Sequence, residues 1–255
     1  MTNFIHADVE VSQGVVFCID GNSKITSSNG TFAEPKPNAL SLPHISTCPG
    51  STPACRKSCY VHGLKGAVPE LYEAYAQNER ALHACLMSDD SRGHTAAVLG
   101  LWIRNNCPGG FRWHVSGDVI SLLHAHWIAE VSRWAKQLCW IYTRTLEAVP
   151  LLQHAPNLVV NVSADVDNYA AALACATKHG ARLCYMCQDG HVPADLPPDS
   201  VIFPDYALRG RSLIHPTLHG WWQSLPNATR RQVCPADFFG QSEEHRCGTC
   251  RKCMQ

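Results

Sequence analysis

The placement of the cysteines constrains this chain more than any other feature. Cys48, Cys55 and Cys59 fall within one loop-forming stretch rich in Pro, Gly, Ser and Thr, ahead of a long helical pattern. A second group, Cys234 followed by Cys247, Cys250 and Cys253, carries the spacing C-x-x-C-x-x-C in its last three members. Thiols gathered on short flexible segments can converge on one metal centre, which is how chains hold iron–sulfur clusters. Fourteen cysteines would suggest disulfides in a short secreted chain, but this one has 255 residues and residues 1–8 lack a signal-like basic and apolar run. A cytoplasmic setting is therefore expected, where cysteines serve as metal ligands, catalytic thiols or core residues.

Charge excludes some partners. Lysine plus arginine equals aspartate plus glutamate at 21 each, so no global field points to nucleic acid or to a membrane, and no apolar run is long enough for a membrane span. The mild basic excess from Asp205 onward, through Arg209, Arg211, Arg230, Arg231, Arg246, Arg251 and Lys252, reads as a solvated face.

With 45% hydrophobic residues the chain can bury one substantial core. Val11 to Asp20 reads as a strand, followed by a turn-rich stretch from Gly21 to Asn38. Helical spacing runs from Val68 to Met87 and again from Thr95 to Asn105. Beyond it, strands at Phe111–Val115, Leu138–Tyr142, Leu158–Val162, Ala181–Met186 and Ser200–Pro204 alternate with helices at Ser121–Gln137, just after Arg144, and at Val166–His179, where Gly180 ends the helix. This alternation predicts an α/β fold with a parallel sheet, open or curled into a full or partial barrel. The expected organisation is an N-terminal strand and loop over residues 1–38, a (β/α) core over 39–204, and a Cys-rich extension over 205–255.

Polar residues gather at the strand ends: Ser116, Gly117 and Asp118, then Thr143 and Arg144, then Asn161, Ser163 and Asp165. α/β folds place their chemistry there, although aspartate at such positions also caps the following helix. Three thiolates in the first group would leave one iron of a four-iron cluster open, with His62 as a further donor. The second group can close a site completely, for iron–sulfur or for structural zinc. The second group's run resembles ferredoxin ligand spacing, and Cys234-Pro235 resembles the Cys-Pro of cluster loops. Cys184-x-x-Cys187 is another pair, with Cys184 expected to be buried in a strand. Cys18, Cys85, Cys107, Cys139 and Cys175 read as core or loop thiols, and Trp113, Trp127, Trp134 and Trp140 as packing residues. Trp221-Trp222 reads as loop.

Several of these motifs occur together. Cys48-Pro49 with Cys55-x-x-x-Cys59-Tyr60, Val115-Ser116-Gly117-Asp118, Tyr142-Thr143-Arg144 and the closing Cys234-Pro235 with Cys247-x-x-Cys250-x-x-Cys253 resemble the gene product 88 family of bacteriophage proteins, from about Leu40 onward. More distantly the layout is similar to phage three-Cys-motif proteins and to radical S-adenosylmethionine (SAM) enzymes. That resemblance implies a partial (β/α) barrel and one or two [4Fe–4S] clusters. Cys48, Cys55 and Cys59 would hold the cluster that cleaves SAM to a 5′-deoxyadenosyl radical. It also implies that Gly117 and Asp118 bind the SAM amino group, that Ser163 and Asp165 serve its ribose or carboxylate side, and that Arg144 serves a carboxylate. The expected function is an iron–sulfur protein of radical-SAM type, with an unidentified substrate and an electron donor. The alternatives are a zinc- or cluster-stabilised phage protein that binds a host protein or nucleic acid, and a redox sensor.

Overall fold

Short β-branched and aromatic runs pair side by side in the order in which they occur. β1 (His6–Ser12), β2 (Val15–Asp20), β3 (Ala39–Leu40), β4 (Phe111–Trp113), β5 (Cys139–Thr143), β6 (Leu158–Ala164), β7 (Arg182–Cys187) and β8 (Val201–Pro204) form one eight-stranded sheet in sequence order. Every pairing from β3 to β8 is parallel, and β1–β2 is an antiparallel hairpin at one edge. The computed structural model describes residues 6–21, 37–63, 68–188, 190–204, 216–238 and 247–255. The turn-rich segment 22–36 and the charged residues Asp205, Arg209, Arg211, Glu243, Glu244 and Arg246 lie outside the described residues. Among the described residues β1 and β8 do not pair, so the architecture is a mixed α/β fold with a mostly parallel, unclosed sheet.

Helices supply the long crossovers that parallel strands need. They are α1 (Pro53–Lys57), α2 (Pro69–Cys85), α3 (Asp89–Asn106), α4 (Leu122–Ala135), α5 (Val149–Leu152), α6 (Tyr169–His179), α7 (Pro216–Ser224), α8 (Asn227–Arg230), α9 (Pro235–Phe238) and α10 (Cys247–Cys250). Four elements differ from the sequence expectation. The single strand expected over Val11–Asp20 straddles a hairpin turn at Gln13-Gly14: Val11 and Ser12 end β1, and Val15–Asp20 is β2. Ala39-Leu40 is a two-residue strand, held by parallel pairing to Arg112 and Trp113. α3 starts at Asp89, six residues early, because Ser88 caps it by accepting from Ser91 N–H and two aspartates follow in its first turn. Trp221-Trp222 is helical, within α7. Gly180 ends α6 in the left-handed conformation as expected.

Alternation along the strands divides the sheet into two faces. Phe111, Trp113, Ile141, Val160, Val162, Leu183 and Tyr185 join the main core, with α3 and α4 packed against each other over it. Trp140, Tyr142, Val159, Cys184 and Val201 face the other way and are covered by Cys234, Cys247, Cys253 and Met254. Cys18, Cys85, Cys107, Cys139 and Cys184 are buried as expected, and so are Trp113, Trp127 and Trp140, whereas Trp134 is exposed.

The core also holds a buried histidine pair, His114 at the end of β4 and His124 in α4, with ring centroids 5.2 Å apart. Burial pushes His114 down to about 3 and His124 well below its ordinary range. Unfolded histidine titrates near pH 6.5, so this pair's contribution is intact above about that pH and is lost as the pH falls towards 3. Urea midpoints are expected to drop steadily over that interval. The drop should flatten in His114→Asn, a residue that tolerates the left-handed backbone (φ 57°) at this position. Equal slopes in the two proteins would contradict this.

Candidate metal centres

The first thiol group sits where the sequence pattern directs it, over the C-terminal ends of the parallel strands. Leu42 N–H donates to Ser116 C=O at 2.9 Å and Asp118 N–H to Thr47 C=O at 3.0 Å, tying the loop to the end of β4. Gly117 has a φ of 81°, and a Cβ there would lie 2.6 Å from the Leu42 Cβ and 2.7 Å from the Thr47 hydroxyl oxygen, so only glycine allows this approach. Gly50 has the same role against β5, since its Cβ would fall 2.4 Å from the Arg144 carbonyl oxygen.

Buried carboxylates fasten the underside of the loop. Asp118 accepts from Val119 N–H at 2.7 Å, the Thr143 hydroxyl at 2.7 Å and Arg144 N–H at 2.8 Å. Asp165, fully buried, accepts from the Thr52 hydroxyl at 2.6 Å and Asp167 N–H at 2.9 Å and forms an ion pair with Arg144 at 2.7 Å. The Thr52 hydroxyl in turn caps α1 by accepting from Cys55 N–H at 2.9 Å, and Asp167 accepts from Ala54 N–H at 2.8 Å. Neither strand-end aspartate caps the next helix: Ser121 caps α4, and α6 begins after Asn168. Gly117, Asp118, Arg144 and Asp165 therefore lie directly beneath the thiol loop. Ser163 is on the same strand ends, its carbonyl accepting from the Asn168 amide at 3.1 Å.

Cys48, Cys55 and Cys59 are half-buried and near enough to act on one another electrostatically. Burial, then the Asp118 charge, pushes the Cys48 thiol up to about 12; burial likewise raises Cys55, with the Arg144 guanidinium opposing it. Burial thus favours the neutral thiol at Cys48 and Cys55, a preference that a bound cation sharing their charge would reverse.

His62 is engaged elsewhere. Its Nε2 lies 2.9 Å from the Arg56 carbonyl oxygen, which can only accept, so Nε2 carries the proton. Its Nδ1 then accepts from His44 Nε2 at 3.3 Å, and His44 Nδ1 accepts from the Tyr72 hydroxyl at 3.4 Å. Both ring nitrogens are thus occupied, and His62→Ala is expected to retain the metal content of the wild-type protein. A loss equal to that of a Cys59 variant would show instead that His62 is a ligand.

The second group lies across the other face. Backbone pairing of Ile202 with Gln232 and Cys234 (2.9 and 2.8 Å) fixes Cys234 beside β8. The Asn161 amide donates to the Cys253 carbonyl at 3.1 Å, anchoring the last thiol over β6. Cys234, Cys247, Cys250 and Cys253 line one cleft of about 340 Å³, counting its mouth, with Trp140, Tyr142, Val201, Pro235, Lys252 and Met254. A hydrogen bond with Cys184 draws Cys253 down to about 7 against the effect of burial, assisted by Tyr142, Arg182 and Arg112. Arg112 is half-buried; desolvation opposes its charge, but Tyr60, Tyr142, Cys247 and Cys253 hold its pKa above the ordinary value. It also stacks over the Tyr142 ring, 5.0 Å from the centroid. Lys252 lies in the field of Cys250, Cys253 and Cys234. Arg112, Arg182 and Lys252 thus place three cationic side chains around the four thiols.

Sequence reasoning placed Cys184 in the core and left open a role for it with Cys187. The structure puts the two on opposite faces of β7: Cys187 joins the main core, while Cys184 packs with Cys234 and Cys253. The signal was the strand's period of two, which separates positions three apart. Thr52, Asp167 and Arg112 were also missed, because each acts through a partner far away in sequence.

Fold and sites together define an α/β protein whose mostly parallel sheet carries two thiol groups, one over its strand ends and one across a face. The chain belongs to the family described as Gene product 88, which matches residues 16–255. No curated protein and no solved structure matches it. No helix among the described residues is long and apolar enough to cross a membrane.

Proposed function

We propose that this protein is an iron–sulfur protein with two centres: a reactive one on Cys48, Cys55 and Cys59, and a closed one on Cys234, Cys247, Cys250 and Cys253. The observation that carries the proposal is the docking of three half-buried thiols over the C-terminal ends of β4, β5 and β6, the edge where parallel sheets do chemistry. Thiol spacing favours iron over zinc. Among the described residues, the one Cys/His/Asp/Glu grouping whose ligand atoms all lie within 4.8 Å of one another is elsewhere, at His6, Asp8 and Cys18. No three thiols of either group meet that criterion, so neither is drawn in as tightly as the roughly 3.8 Å sulfur separations that zinc–sulfur bonds of about 2.3 Å would set.

Three thiols leave one cluster position without a protein ligand, and this suits radical-SAM-type chemistry on an unidentified substrate. When bound, the cluster and SAM would supply the radical chemistry. Asp118, Asp165 and Arg144 would hold the thiol loop rigid, Gly117 would let it seat closely on β4, Ser163 would face the cofactor at the strand ends, and the loop would shield the site from water. The Cys-rich segment would act as an extension covering the open face of a curled, partial-barrel sheet, and an external donor in the host cytoplasm would supply electrons.

The test separates the centres. Cys48→Ala/Cys55→Ala/Cys59→Ala should lose one cluster's iron and sulfide and all response to SAM, while Cys247→Ala/Cys250→Ala loses the other and leaves the SAM response in place. Unchanged iron in the first variant would refute a centre there, and zinc without sulfide in the wild type would favour a structural metalloprotein.

A further inference from the structure

The β1–β2 hairpin carries a third group of ligand-type side chains, at the opposite edge of the sheet from the Cys-rich segment. His6 and Asp8 alternate along β1 and so share a face, and the antiparallel register sets Asp8 directly opposite Cys18 and His6 opposite Asp20. One ligand atom each from His6, Asp8 and Cys18 lies within 4.8 Å of the others. The Cys18 thiol hydrogen-bonds the Asp8 carboxylate and lies in the field of Asp20. His6 and Asp8 are exposed and Cys18 is buried, so the group is open to solvent on one side and anchored in the sheet on the other. His6 and Asp8 precede the span matched to the family, and Cys18 lies within it.

We infer that His6, Asp8 and Cys18 bind one divalent cation of zinc type, with a fourth position left to water. Imidazole nitrogen, carboxylate oxygen and thiolate sulfur are the donor types that zinc accepts, and three protein ligands with one open position is its usual reactive arrangement. Asp8 beside the thiol supplies negative charge, and the cation displaces the thiol proton to solvent. Such an ion would staple β1 to β2, adding to their strand pairing and to the core packing of Val9, Val11, Phe17 and Ile19.

Cobalt(II) is the probe. Added anaerobically to the cluster-loaded protein, it should give the wild type one more bound equivalent than His6→Ala/Asp8→Asn, with a near-ultraviolet sulfur-to-cobalt charge-transfer band. The double variant, whose changes are at exposed positions, should fold normally by circular dichroism. It should bind that equivalent at least about 100-fold more weakly, since even outer-shell changes cost about 10–100-fold. Cys18→Ser should lose the charge-transfer band. Equal cobalt binding and equal spectra in wild type and double variant would overturn the inference, whatever the state of the two iron–sulfur centres.

Discussion

Replacing Arg144 with alanine is expected to lower the unfolding free energy by about 3–5 kcal/mol, the usual cost of removing one partner of a buried ion pair. Asp165 is fully buried, and in Arg144→Ala its carboxylate would keep the Thr52 hydroxyl and Asp167 N–H but lose its only ion pair among the described residues. Because Thr52 also caps α1 through Cys55 N–H, strain at Asp165 passes directly into the three-thiol loop. Arg144→Ala/Asp165→Asn should recover a large part of the loss, since it removes the unpaired charge as well. Urea unfolding of the two variants measures this. A loss below about 1 kcal/mol in the single variant would mean that the pair behaves like a surface bridge and does not hold the loop.

Gly50→Ala should act on the same loop by steric means. The new Cβ would meet the Arg144 carbonyl oxygen at 2.4 Å and its carbon at 2.5 Å, and these are backbone atoms at the end of β5 that cannot rotate away. The loop must lift, at a cost of about 1–3 kcal/mol for overpacking, and Cys48 moves with it. Iron and sulfide should fall to the level of the Cys48→Ala/Cys55→Ala/Cys59→Ala protein, with the second centre retained. Full iron content in Gly50→Ala would show that the thiols converge without the loop being seated on β5.

The parts of this fold legible in the sequence are those that depend on local periodicity. The helix over Pro69–Cys85, the strands ending at Thr143 and Ala164, and the Gly180 stop follow from apolar spacing and from glycine chemistry. β3 is only Ala39-Leu40, and no propensity in two residues foretells a strand; its pairing with β4 defines it. The hairpin turn at Gln13-Gly14 was lost in a run of apolar residues that reads as one strand. The two cysteine groups were legible as groups, since their spacing is local. What the sequence concealed was how the polar strand ends are used. Asp118 and Asp165 look like helix caps one at a time, and only the tertiary structure turns them under the thiol loop. Cys184 was hidden for the same reason, since a cysteine within an apolar strand reads as core until Cys253 is packed on it.

The most direct test of the central claim is an anaerobic preparation assayed for iron, acid-labile sulfide and zinc, with electron paramagnetic resonance spectra before and after dithionite and again with SAM. The two-centre account predicts iron and sulfide in equal amounts, sufficient for two clusters, and a reduced signal that changes when SAM is added. Stoichiometric zinc without sulfide, and no resonance signal on reduction, would contradict it.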